Sequence, residues 1–150
     1  MTTADITREE ILVVYPKVAK IMADALGCDV EQVGLDVSLI DGLNAESIDF
    51  LDIAFGLERA FKVKIPRGKI VEDARGDLPA AAFEEKGYLT DVGLKRLREY
   101  LSEVPADRFD SPMRVGDIPR LFTPETFCKV VARGLRAQGA EGTSAPRPDA

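Results

Sequence analysis

Hydrophobic residues recur at helical spacing in the first part of the chain. Thr7 is a favourable N-cap with Glu10 three residues later, as in a capping box, and Gly27 is a natural stop. The apolar positions between these signals are Ile11, Val14, Tyr15, Val18, Ile21, Met22, Ala25 and Leu26. This spacing predicts an amphipathic helix over about 6–26, loosened in its first half by Pro16.

The same periodicity predicts three later helices and little strand. Their ranges are 47–61, 90–101 and 123–136. The stretch 28–46 is rich in glycine and aspartate and is predicted to be an ordered loop. From Gln138 onward glycine, serine, proline and alanine dominate, which predicts a disordered tail over 138–150. We therefore expect an all-α fold with one domain over 1–137.

Composition narrows the classes of function. The chain has 150 residues, 45% of them hydrophobic, which suffices for one packed core. No apolar run approaches the ~20 residues that cross a bilayer, so we expect a soluble, cytoplasmic protein that does not span a membrane. Histidine is absent, which removes the commonest general base and metal ligand, so we expect neither an enzyme nor a metal site. Cys28 and Cys128 match no metal-ligand spacing and are expected to be buried free thiols.

Acidic residues are concentrated in one part of the sequence. Nine acids and no lysine or arginine lie between Ile21 and Glu58, while the whole chain carries a net charge of −6. The nine are Asp24, Asp29, Glu31, Asp36, Asp41, Glu46, Asp49, Asp52 and Glu58. A surface of one sign repels nucleic acid and attracts basic protein surfaces, so we expect protein partners and no nucleic acid.

Ser47 lies where the predicted loop meets the second predicted helix. Serine is a preferred N-cap, and Asp49 and Asp52 suit the positive end of a helix dipole. Residue type alone therefore favours a structural N-cap at Ser47.

A longer match gives Ser47 a second interpretation. The stretch 45–66, AESIDFLDIAFGLERAFKVKIP, resembles the attachment segment of acyl carrier proteins, whose pattern is aspartate-serine-leucine, an acidic helix and a closing isoleucine-proline. The resemblance covers about 5–66 and returns at 121–131, which leaves 67–117 as an insertion with an extra helix. It implies an acyl-carrier-type helical bundle in which a separate phosphopantetheinyl transferase moves 4′-phosphopantetheine from coenzyme A onto Ser47.

The resemblance also implies how such a carrier works. The protein is expected to be a monomer that holds acyl intermediates as thioesters, in fatty acid or specialised lipid biosynthesis, and meets acyl-loading and acyl-processing enzymes through their basic surfaces. Candidate recognition residues are Glu46, Ile48, Asp49, Asp52 and Glu58. Candidates for an acyl groove are Leu43, Leu51, Phe55 and Ile65. Glu46 departs from the family pattern, which usually has aspartate there, and this puts modification by a general transferase in question.

Other interpretations stay open at this point. The carrier could serve polyketide or aminoacyl cargo, or the serine could stay unmodified in a carrier-like interaction domain. A calcium loop is a weaker hypothesis, because its acids lack the alternating spacing and central glycine of an EF-hand. Those acids are Asp36, Asp41, Glu46 and Asp49.

Overall fold

Helices make up most of the secondary structure. The computed structural model describes residues 6–66 and 68–144, without the side chains of Ser47 and of 139–144. The α-helices are α1 (Arg8–Leu26), α2 (Leu39–Leu43), α3 (Ser47–Phe61), α4 (Lys69–Arg75), α5 (Ala80–Phe83), α6 (Asp91–Tyr100) and α7 (Pro124–Ser144). Short 3₁₀ helices cover Val30–Gln32, Ala106–Arg108 and Val115–Leu121. The prediction of an all-α fold is confirmed.

The strands form one small hairpin. Strand β1 (Glu84–Glu85) pairs antiparallel with β2 (Tyr88–Leu89), with Glu84 opposite Leu89. The hairpin lies in the connection between α4 and α7, residues 76–123, which also carries α5 and α6. We call this segment the α4–α7 connection.

Local sequence signals set the ends of α1 as predicted. The Thr7 hydroxyl accepts the Glu10 N–H at 3.1 Å, and the Glu10 carboxylate accepts the Thr7 N–H at 2.9 Å. Gly27 ends the helix in the left-handed region with φ 69°. The helix is continuous through Pro16.

The structure contains more helix than the sequence predicted at two places. The predicted loop 28–46 contains α2, whose first turn is capped because the Ser38 hydroxyl accepts the Asp41 N–H at 3.1 Å. Five residues are too few to show a helical period, so the pattern missed this helix. Helix α7 continues to Ser144 through part of the predicted tail, because a helix anchored on the core extends at one hydrogen bond per residue. Residues 145–150 lie outside the described part.

The core forms where α1 packs against α3 and α7. Glycines allow close approach, since a Cβ at Gly56 would lie 2.8 Å from Ile21 Cγ2 and one at Gly134 would lie 2.9 Å from Val63 Cγ1. Arg136 of α7 donates two hydrogen bonds to the Glu10 carboxylate of α1, at 2.9 and 2.7 Å, which lowers the pKa of Glu10. Fully buried side chains include Met22, Leu39, Ile53, Leu57, Phe83, Leu97, Leu101, Ile118, Leu121 and Val131.

A buried polar group attaches the α4–α7 connection to α7. Lys129 forms a 2.9 Å ion pair with Glu103, and the exposed fractions of the two side chains are 10% and 2%. The Thr126 hydroxyl donates to the same carboxylate at 2.6 Å. Because these charges are mutually paired and hydrogen-bonded, the connection is fixed to α7 in a specific orientation.

None of the helices in 6–66 and 68–144 combines the length and the hydrophobicity that crossing a bilayer requires.

Gly93 is expected to be essential for the stability of the α4–α7 connection. Its Cα faces the Phe83 carbonyl so closely that an added Cβ would collide with backbone atoms. We expect Gly93→Ala to lower the free energy of unfolding by about 1–3 kcal/mol through overpacking, measured by urea denaturation. The control is Gly116→Ala, where an added Cβ would meet nothing within 4 Å. Equal effects of the two substitutions would contradict this account.

Candidate functional site

Ser47 is the first residue of α3, and the residue before it is the N-cap. Glu46 has extended backbone angles, φ −112° and ψ 170°, and its N–H donates to the Asp49 carboxylate at 2.8 Å. The N-cap interpretation of Ser47 was therefore wrong. The Asp49 carboxylate accepts the Glu46 N–H, so the cap forms at Glu46, one residue before Ser47.

The chain approaches Ser47 through a tightly bonded corner. Asn44 ends α2 in the left-handed region with φ 60°, and its N–H donates to the Ile40 carbonyl at 3.1 Å. The Ala45 N–H donates to the Leu39 carbonyl at 2.9 Å, and Ala45 is buried. The backbone just before α3 is thus held by both hydrogen bonding and burial.

Three aromatic rings lie beneath the first turn of α3. Phe50 contacts Phe122 edge-on at 6.0 Å between ring centroids and stacks on Phe127 at 6.1 Å. Phe122 and Phe127 meet edge-on at 5.9 Å. No local sequence pattern predicts this cluster, because it joins α3 to residues more than 70 positions later.

An apolar stripe lies on the surface of α3 next to Ser47. Ile48, Leu51 and Phe55 are 63%, 39% and 53% exposed. They occupy one face at helical spacing, with Asp52 exposed beside them. This face offers both apolar contact and negative charge to a partner.

The four groove candidates do not share one environment. Leu51 and Phe55 lie on the exposed stripe, Leu43 is half-buried and Ile65 belongs to the core. A common acyl groove stays a prediction.

Several of the predicted recognition acids also have structural partners. The Glu58 carboxylate accepts the Ile65 N–H at 2.6 Å, and Asp49 caps α3 as described. Asp41, which belongs to the same acidic stretch but was not a recognition candidate, forms ion pairs with Arg108 at 3.3 Å and Arg120 at 3.2 Å. Within the described residues the Asp52 side chain has no ion pair or hydrogen bond. It is therefore the recognition candidate whose charge can be changed with the least structural effect.

The backbone at the start of α3 is suited to holding a phosphate group. The described residues contain no group of three or more potential ligands arranged to hold a metal ion. The first turn of a helix leaves backbone N–H groups without intrahelical acceptors, which suits a phosphate ester at Ser47. Glu46 and Ile48 on either side are exposed, so a covalently attached arm has room to leave the surface.

Comparisons with known proteins agree with this geometry. Residues 16–75 match the family model described as a phosphopantetheine attachment site. The match includes α4, the first part of the predicted insertion. The insertion over 67–117 stays a prediction.

The chain is similar to several acyl carrier proteins. It is 32% identical over 81 residues to an acyl carrier protein of Bdellovibrio bacteriovorus, covering 51% of this chain and 97% of that protein. It is 37% identical over 59 residues to acyl carrier protein AcpXL of Mesorhizobium japonicum, covering 39% of this chain and 63% of that protein. It is 40% identical over 70 residues to acyl carrier protein AcpXL of Brucella melitensis, covering 46% of this chain and 75% of that protein.

The two cysteines are expected to react at different rates. Burial raises the pKa of the Cys128 thiol to about 12, whereas Cys28 is only half-buried. Cys128 therefore stays protonated in the folded protein through neutral and moderately alkaline pH. We expect iodoacetamide at pH 8 to alkylate Cys28 first, with Cys128 labelled only after unfolding, as measured by peptide mass spectrometry. Equal labelling of both in the native protein would contradict the burial of Cys128.

Proposed function

Because this chain belongs to the acyl carrier protein family, we propose that it carries acyl groups on a 4′-phosphopantetheine arm attached to Ser47. The family's covalent prosthetic group is 4′-phosphopantetheine. The position of Ser47 supports the site: it is the first residue of α3 and lies within the region that matches the attachment model. The carrier domain is proposed to cover 1–137 and to act in the cytoplasm.

Attachment is a transfer from coenzyme A by a phosphopantetheinyl transferase. The Ser47 hydroxyl oxygen forms a new bond to the β-phosphorus of coenzyme A and loses its proton to the transferase or to water. The pyrophosphate bond breaks, and adenosine 3′,5′-bisphosphate leaves. The chain needs to supply only an exposed hydroxyl and a fixed backbone, so the absence of histidine is no obstacle.

The attached group supplies a terminal thiol that holds acyl cargo as a thioester. The protein holds the arm at the corner between α2 and α3, supported from beneath by the Phe50 ring. Acyl carrier proteins are carriers and not catalysts, so the chemistry on the cargo belongs to partner enzymes.

Partner enzymes are proposed to dock on the exposed face of α3. Ile48, Leu51 and Phe55 supply apolar contact, while Glu46, Asp49 and Asp52 face basic side chains. Exposed charges contribute about 0.2–1 kcal/mol per pair, so they steer encounter and orientation more than they add affinity. Such docking is short-lived, as a shuttle between enzymes requires.

The cargo is proposed to be a fatty or other lipid-like acyl chain. Exposed aliphatic and aromatic side chains beside Ser47 offer such a chain a surface to lie on. Intact mass spectrometry of the protein purified from its own cell tests both points. An unmodified mass would refute the carrier role, and a polyketide or aminoacyl adduct would refute the cargo.

Ser47→Ala is expected to abolish modification with little loss of stability. The Glu46–Asp49 cap is retained and alanine favours helix, so the free energy of unfolding should change by less than about 0.5 kcal/mol. Incubation with coenzyme A and a transferase, followed by intact mass measurement, checks the modification. Ser102→Ala is the control and should be modified like the parent. Continued modification of the Ser47→Ala protein would show that the site is wrong.

Asp52→Lys is expected to slow the transferase reaction at low salt. Charge reversal on the docking face weakens attraction to a basic enzyme surface, and salt screens the effect over a Debye length of ~10 Å at 0.1 M. The control is Glu99→Lys, which reverses an exposed acid on α6 instead of α3. Initial rates are measured against ionic strength, with circular dichroism to check the fold.

Only the Asp52→Lys rate should fall, and the difference from the parent should narrow as salt rises. Equal slowing by both variants would mean that net charge and not the α3 face controls docking. Glu58→Lys is unsuitable for this test, because it would also remove the bond to the Ile65 N–H.

A further inference from the structure

Two arginines of the α4–α7 connection hold one carboxylate of α2. Arg108 donates to Asp41 Oδ2 at 3.3 Å, and Arg120 donates to Asp41 Oδ1 at 3.2 Å. Arg108 also donates to the Arg120 carbonyl at 2.6 Å, which fixes the two arginines relative to each other. We call these three residues the arginine clamp.

Two more hydrogen bonds join the start of α2 to the same segment. The Ser38 hydroxyl donates to the Arg120 carbonyl at 3.3 Å, and the Leu39 N–H donates to the Phe122 carbonyl at 3.1 Å. The start of α2 is therefore bonded to the same segment that holds its Asp41. The α4–α7 connection therefore contacts this short helix through several hydrogen bonds and ion pairs.

Only three residues separate the end of α2 from Ser47, and hydrogen bonds hold them. The Asn44 and Ala45 N–H groups both donate back into α2, and Ala45 is buried. Glu46 follows as the N-cap of α3, held by Asp49. No flexible linker separates the clamp from Ser47 in this part of the described chain, so displacing α2 would displace the start of α3.

The clamp is not needed to hold the fold together. Its side chains are 35% to 58% exposed, and exposed ion pairs contribute little to global stability. The buried Glu103–Lys129 pair and the apolar core attach the α4–α7 connection independently. The effect of the clamp is therefore expected to be local, at the corner that it grips.

We propose that the arginine clamp positions the Ser47 corner for recognition by the phosphopantetheinyl transferase, with Arg108 and Arg120 as positioning residues. This inference rests on the proposed attachment at Ser47. A corner that is already ordered loses less conformational entropy when the transferase binds it. The clamp should therefore lower the KM for the carrier and leave kcat nearly unchanged.

The test uses the full-length apo-protein with Arg108→Gln and Arg120→Gln combined. We expect the transferase KM to rise about three- to tenfold while kcat stays within about twofold. Amide hydrogen exchange over 41–47, measured by NMR, should become faster in the same variant. Circular dichroism verifies the overall fold.

In the double variant, the loss of positive charge and the loss of the clamp change the transferase KM in opposite directions. Removing two positive charges makes the surface near α3 more acidic, so electrostatic attraction to a basic transferase alone would lower KM. A raised KM therefore identifies lost positioning. Arg96→Gln is the matched control, because it breaks a 3.2 Å pair with Asp77 and a 2.9 Å bond to the Arg75 carbonyl without touching α2. It should change neither KM nor exchange over 41–47.

A third variant tests whether the three residues act as one unit. Asp41→Asn removes the shared carboxylate charge and should raise KM by itself. Adding it to the double variant should raise KM little further, because the interaction is already lost. Unchanged or lowered KM in the double variant, additive effects, or unchanged exchange would overturn the proposal. Absence of modification at Ser47 in the parent protein would instead overturn the proposed function, and the exchange measurement would still test the clamp.

Discussion

The contact of Phe50 with Phe122 and Phe127 joins the start of α3 to the last helix. Aromatic pairs of this geometry contribute about 0.5–1.5 kcal/mol beyond the area they bury, and here three pairs share three rings. Because Phe50 lies one helical turn after Ser47, the first turn of α3 cannot shift without separating these rings. Glu46 and Ile48 on either side of Ser47 are exposed, and the turn is supported from within by these rings.

The buried pair of Glu103 and Lys129 has a different effect on the structure. Two charges taken out of water gain little net stability even when they are well paired, but leaving either one unpaired costs about 3–5 kcal/mol. Alternative placements of the α4–α7 connection are therefore penalised, since they would separate the pair. The connection is fixed on α7 in the one orientation that brings Arg108 and Arg120 to Asp41.

Sequence reasoning succeeded where the signal was local and failed where it was not. The Thr7 cap and the Gly27 stop lie next to the helix ends they define, so residue type predicted them. Helix α2 was missed because it is too short for a period and gains its order from the α4–α7 connection. Ser47 was identified from a family pattern, but its place after the N-cap depended on Glu46, whose backbone bond no composition rule indicates.

Contacts between distant residues also change the charge that the acidic stretch presents at the surface. As a sequence it presents nine acids and no bases, which predicts a uniformly negative surface. In the structure Asp41 is neutralised by two arginines and Glu58 accepts a backbone N–H. The exposed Asp52 has no ion pair within the described residues and lies next to the exposed apolar side chains of Ile48 and Phe55. A docking face of this kind combines a few steering charges with a small apolar contact. In the proposed docking mode each contribution is small, so complexes dissociate readily and one carrier visits several enzymes in turn.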